Sequence, residues 1–177
     1  SKKKYVLRLL LLILLLIRTR PFSVNANNDW KIKQLNDGSP GCLSPEVSPM
    51  NKMSFPYEDT KVRIQVVCVE TDNEELIGFT FNNIPNINDT IAGDGYELIE
   101  TKILWDGEKE EEVAFLHSFD TKSLIPSNPV EMLPKLAKYH FLILSLDWYK
   151  EGIVNFKIPL DGSADAIEIV ENSCSEN

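Results

Sequence analysis

From residue 30 onward, apolar and polar side chains alternate in long stretches with the two-residue period of a half-buried strand. Residues 30–35 alternate in this way, led by Trp30. In residues 61–69, Val62, Ile64, Val66 and Cys68 share one face, and Arg63, Gln65, Val67 and Val69 the other. Residues 74–82 read as the hairpin partner across Thr71-Asp72-Asn73, with Ile77, Phe79 and Phe81 as the buried set. Residues 96–105 form a long strand with Tyr96, Leu98, Ile103 and Trp105 inward. Its alternation breaks near Glu100-Thr101-Lys102, which implies a bulge or a change of sheet. Asp106-Gly107 is the strongest hairpin-turn signal in the chain. The return strand over 112–119 keeps Val113, Phe115 and His117 on one face. Residues 139–148 hold an apolar run at 141–144 plus Leu146, a density that predicts burial on both faces. Lys150-Glu151-Gly152 turns the chain, and residues 153–160 return.

Punctuation between these runs supplies the rest. Residues 36–41 and 83–95 are rich in Asn, Asp, Gly and Pro, the residues of turns and loops. Pro45, Pro49 and Pro56 make residues 42–58 an irregular connection, with a short, unpaired edge strand at 42–47. Asn128, Pro129 and Glu131 have the spacing of a helix start: a cap, a proline at the first position, and an acid three after the cap. Pro134 keeps that helix short, ending near Lys138. A final helix over 164–172 carries Ile167 and Val170 as its apolar stripe, with Cys174 at its end. The sum is mainly β: an antiparallel β-sandwich or barrel-like sheet of about eight strands, with two short helices near the C-terminus.

The first 26 residues follow a different grammar. Lys2, Lys3 and Lys4 precede an aliphatic run from Leu9 to Ile17, and Val24-Asn25-Ala26 closes the segment with small residues. This is the order of a secretory signal peptide, with cleavage expected between Ala26 and Asn27. A membrane span needs about 20 apolar residues, and the run from Val6 to Ile17 is shorter and is interrupted by Arg8. Retention as a short anchor is the alternative, and Arg18 and Arg20 are unusual so close to a cleavage site. The expected organisation is therefore a leader, 1–26, and one β-rich domain, 27–177.

Cleavage changes the charge. The whole chain carries 18 basic and 27 acidic residues. The leader holds six of the basic ones and no acids, so the remainder has 12 against 27, a net of −15. Such a surface repels phosphate backbones and anionic headgroups, which excludes nucleic acid as a partner.

Three cysteines follow the leader: Cys42, Cys68 and Cys174. In an oxidising compartment two of them are expected to pair. Cys68–Cys174 would pin the last helix to the sheet. Cys42–Cys68, the alternative, would tie the Pro-rich connection to the same strand. As catalysts or ligands the candidates are weak. His117 and His140 lack the converging partners that a metal site requires. Cys42 as a nucleophile would need one of those histidines beside it. No G-x-S-x-G occurs. Residues 88–95 resemble a cation loop in composition but lack its spacing, and read as turn chemistry. Asn88-Asp89-Thr90 is also a glycosylation sequon. No catalytic residue, metal or cofactor is expected.

In the last third, Phe141-Leu142-Ile143-Leu144-Ser145-Leu146-Asp147-Trp148-Tyr149-Lys150-Glu151-Gly152, then Gly162-Ser163-Ala164-Asp165-Ala166-Ile167 and Cys174, form a strand, aromatic turn, strand, short helix and terminal cysteine. This module resembles small bacterial periplasmic β-sandwich proteins, namely the type VI secretion-associated TagO/VasI-like family and the invasion-associated locus B family. The likeness extends in layout over residues 30–174 and in motif over 139–174. The cysteine-bearing N-terminal region of the TagO-like proteins is missing here. The resemblance implies a periplasmic or secreted, envelope-associated accessory role through binding a protein, without catalysis. The alternatives are a secreted hydrolase and a protease-inhibitor-like or ligand-carrying β-barrel. The contact elements expected on exposure and composition are the 42–47 strand, free to add a partner strand, and the 83–95 loop.

Overall fold

The computed structural model describes residues 30–35, 38–69 and 74–175. The expected leader and its expected cleavage between Ala26 and Asn27 lie outside the described residues. Ten strands and two helices follow in chain order: β1 (Lys31–Gln34), β2 (Pro40–Leu43), β3 (Val62–Val69), β4 (Glu74–Phe81), β5 (Ile91–Ala92), β6 (Tyr96–Trp105), β7 (Lys109–Ser118), β8 (Ser123–Pro126), α1 (Pro129–Lys138), β9 (Phe141–Trp148), β10 (Gly152–Pro159) and α2 (Ser163–Ser175). All pairings are antiparallel. They build one open sheet in the order β1-β2-β3-β4-β8-β7-β6-β9-β10, with β5 added on β6.

The fold class expected from the alternation is the one observed. Val62, Ile64, Val66 and Cys68 are buried on β3, and Ile77, Phe79 and Phe81 on β4. Strand β8 is the corner of the sheet. Ser123 and Leu124 pair with Thr80 and Phe79 of β4, and Ile125 and Pro126 pair with Leu116 and Phe115 of β7. The sheet bends there, so that rings from its two halves meet. Phe79 lies edge-on to Phe115 at 5.1 Å, and Phe81 to Phe156 of β10 at 5.6 Å. Trp105, Trp148 and these four phenylalanines have essentially no exposed surface. Each such burial is worth about 2–3 kcal/mol.

Several details depart from expectation. The β6–β7 ladder runs unbroken from Tyr96↔Ser118 to Trp105↔Lys109, with no bulge. Ile99, Ile103 and Trp105 are the buried residues of β6, whereas Tyr96 and Leu98 lie on the opposite face. Two apolar residues on the outside made an unbroken alternation look interrupted. Strand β9 is fully buried on one face only: Leu142, Leu144, Leu146 and Trp148 point inward, and Phe141 and Ile143 are half-buried. Residues 42–47 are not an unpaired edge. Cys42 pairs with Ile32 on one side and Val66 on the other, and Val47 bridges to Val62. The edge is β1, whose Lys31 and Lys33 guard it as charged residues guard exposed strand edges. The helix–hairpin–helix order is the expected one, with α1 before the last hairpin and α2 near the C-terminus.

Helix α1 begins where its cap predicts. The Asn128 side-chain oxygen accepts from the Glu131 N–H at 3.4 Å. Pro134 deletes a single backbone bond, and the helix continues to Lys138, where the Tyr139 N–H still donates to the Lys135 carbonyl. Helix α2 buries Ala166, Ile167, Val170 and Cys174 against β2 and β3. The Ser163 hydroxyl donates to the Leu136 carbonyl at 2.6 Å and joins the two helices. Cys174 is bonded to Cys68 of β3 across a sequence separation of 106, with a Cα–Cα distance of 5.5 Å. The bond thus anchors the C-terminal helix to the core strand, as the first pairing required. The Cys42–Cys68 alternative is not formed. Cys42 stands opposite Val66, so Cys68 is its diagonal neighbour, a relation that separates Cα atoms by about 7–8 Å, too far for a bridge.

Candidate functional site

The sequence-level candidates for chemistry are held apart. Cys42 is fully buried and its thiol is not disulfide-bonded. Burial pushes its pKa up to about 12, against a smaller lowering by a hydrogen bond with the Val66 backbone. A thiol so protonated is a core side chain, not a nucleophile. His140 is exposed, with Nδ1 2.8 Å from Asp161 Oδ1, and its pKa is raised by that hydrogen bond, by the charge of Asp161 and by Asp106. The Asp106 carboxylate also accepts from the His140 and Phe141 N–H groups, fixing the start of β9. Among the described residues no group of three or more His, Cys, Asp or Glu side chains is placed to hold a metal ion.

His117 is 2% exposed, and both its ring nitrogens have oxygen partners. Nε2 lies 2.8 Å from the Thr121 carbonyl, which can only accept, so Nε2 carries a hydrogen. Nδ1 lies 2.8 Å from Glu97 Oε1, within hydrogen-bond distance. The other Glu97 oxygen accepts from the Thr90 hydroxyl at 2.8 Å. This chain of contacts is a structural tie. It fastens the approach to β5, strands β6 and β7, and the turn after β7 into one unit. In the 83–95 loop, Asn88 donates to Asp147 at 3.0 Å, and Asp89 and Gly95 adopt the positive φ that turn residues tolerate. Turn residues thus flank a short strand that the loop expectation did not include, β5, which pairs with β6.

The unit tied by His117 carries the feature that the sequence reading missed. On the outer face, Ile91 of β5 stands opposite Leu98 of β6, Leu98 opposite Leu116 of β7, and Leu116 opposite Ile125 of β8. Four aliphatic side chains therefore form a row straight across four strands, turned away from the core. Ile91 is 54% exposed and Leu116 39%, while Leu98 and Ile125 are half-buried by their neighbours. The row runs on to Gly78 of β4, where an added Cβ would lie 3.7 Å from Ile125 Cδ1. Tyr96, 42% exposed, adds an aromatic ring at one border. It lies over Gly93, so close that a Cβ there would sit 2.5 Å from the ring. Register made this row visible: sequence alone gives Tyr96 and Leu98 as apolar but not what stands beside them.

Past Leu98 and Leu116 the same face turns charged. Glu100 stands opposite Ala114, and Lys102 opposite Glu112. Lys102 donates to Glu110 at 2.7 Å, and the bond and charge of Glu110 raise its pKa. Here β8 departs from β7, its last link the Ser127 N–H donating to the Ala114 carbonyl at 2.9 Å. A pocket of about 500 Å³ fills the gap between β7 and the first turn of α1. Val113, Pro126 and Met132 are among its apolar lining residues, and Glu100, Glu112 and Glu131 line it with carboxyl groups. Glu111 is already engaged, accepting from the Trp105 indole N–H at 3.1 Å and from Lys135 at 2.5 Å.

An apolar row, a tyrosine ring and a pocket lined by carboxyl groups adjoin one another along the β6–β7 hairpin. Comparison with known proteins adds no relative: no family model, curated protein or solved structure matches the chain.

Proposed function

We propose that this chain is an exported accessory protein of the cell envelope that acts by binding another protein, without catalysis. The observation that carries the reading is the in-register row Ile91–Leu98–Leu116–Ile125 on the outer face of the sheet. Aliphatic side chains lined up across a solvent-facing sheet are costly to leave wet, and in soluble domains they mark contact surfaces. The two contact elements expected from sequence fare differently. The 42–47 strand is taken up in the sheet, Cys42 and Leu43 paired on both sides and Val47 bridged to Val62, and drops out, whereas the 83–95 segment contributes through Ile91. The envelope setting is supported by the leader's grammar, by the Cys68–Cys174 bond, which belongs to oxidising compartments, and by the resemblance of residues 139–174 to periplasmic families. No helix among the described residues is long and apolar enough to cross a membrane.

Site-specific photo-crosslinking tests the reading. A crosslinker at position 116 should give one discrete adduct in an envelope extract of the source cell. The same group at Ile169, exposed on α2, should give none. Equal labelling from both positions, or none from 116, would overturn the assignment of the face.

A further inference from the structure

We infer that the partner presents a polypeptide segment in which apolar residues are followed by a lysine or arginine, the apolar part lying on the row and the cation entering the pocket beside α1. The inference rests on the protein-binding reading and adds the chemistry of what is bound.

The order of the surface dictates it. Along the outer face of β6 the residues run Leu98, Glu100, Lys102, and along β7 they run Leu116, Ala114, Glu112. A chain crossing this face therefore passes from aliphatic contact to negative charge within one strand step. The single lysine in that path is already occupied by Glu110. Lys135 is likewise occupied by Glu111. What the pocket offers an incoming group is thus the carboxylates of Glu100, Glu112 and Glu131, with Val113 and Met132 as apolar side chains lining the same space. Lysine and arginine side chains match that pairing, because a long apolar stem ends in a cation and buries its stem while the head meets charge. Other occupants fit poorly. A second copy brings the same excess of acids, with 27 acidic against 18 basic residues in the chain. An anionic lipid surface is repelled for the same reason.

The test uses two fluorescein-labelled peptides, one of alternating leucine and threonine followed by lysines, and a twin ending in glutamates. Binding is followed by anisotropy. The lysine peptide is expected to bind at least about tenfold more tightly than its twin at low salt, and the gap should narrow as salt screens the charges. Paired Glu112→Gln and Glu131→Gln substitutions, which keep shape and remove charge, should abolish the preference. Leu116→Glu should remove binding of both peptides. Thermal melts confirm that each variant is folded. If the lysine peptide binds no better than its twin, if neither binds, or if the glutamine variant keeps the preference, the inference is wrong. In those cases binding through the row is still judged by the crosslinking at position 116. If Leu116→Glu changes nothing, the protein-binding reading of this face falls as well.

Discussion

His117 holds its place through two oxygens, one on each ring nitrogen, and removing the ring would take from the largely buried Glu97 one of its two partners. A buried pair broken on one side costs about 3–5 kcal/mol. His117→Ala is therefore expected to lower stability by roughly 3 kcal/mol or more in urea unfolding. A loss under about 1 kcal/mol would show that the contact is not structural. Cys42 makes the opposite statement about chemistry. With its pKa near 12, only about one molecule in ten thousand is a thiolate at pH 8. Iodoacetamide should leave Cys42 unmodified in the folded protein and alkylate it in denaturant, read by intact mass. His140 titrates at the surface. Its folded pKa is raised above the ordinary value of 6.5 by Asp161 and Asp106, so its contribution is full below that value and is lost as pH rises through the raised one. His140→Gln should thus lower the melting temperature at mildly acidic pH and leave it unchanged in alkaline buffer. The reverse dependence would contradict the assigned partner. Both histidines were readable in sequence as isolated residues. Their partners were not, since Glu97 and Asp161 lie 20 and 21 positions away and only the fold brings them near.

At the scale of elements, the legible parts were those with a long, undisturbed period. β3 offers eight residues of alternation and β4 alternates from Ile77 to Phe81 in its side chains, and α1 announces its start through Asn128, Pro129 and Glu131. β5 and β8 have two and four residues, too few to establish a period. Pairing with β6, β4 and β7 holds them in place, not any local propensity. The misread phase of β6 has a different cause. Tyr96 and Leu98 are apolar because the outer face is apolar, so the residues that spoiled the alternation belong to the candidate site. The disulfide is the clearest element-scale constraint. Closing a loop of that length restricts the unfolded chain by about 4–5 kcal/mol in the entropic account, with measured losses of roughly 2–5 kcal/mol. Cys174→Ser should cost within that range, and amide exchange should rise first in α2, which the bond fastens to β3. Uniform loosening of the whole sheet, with α2 still protected, would mean that Ile167 and Val170 hold the helix without the bond.

The molecule as a whole separates two apolar surfaces. The inner one, filled by Trp105, Trp148, Phe79, Phe81, Phe115 and Phe156, leaves little to decide between the two halves of the sheet. The outer one crosses β5 to β8 and lies in water, and a chain with an excess of acids retains it beside a carboxylate-lined pocket. A residue that serves folding and a residue that serves binding part company under one substitution. The decisive measurement is therefore made on Leu116→Glu carrying a crosslinker at Leu98, its neighbour in the row, with stability by urea unfolding and capture of a partner read on the same preparation. Stability unchanged to within about 0.5 kcal/mol together with loss of the adduct is the expected result. A destabilised protein that still captures the partner would make the row a piece of the fold and contradict the account.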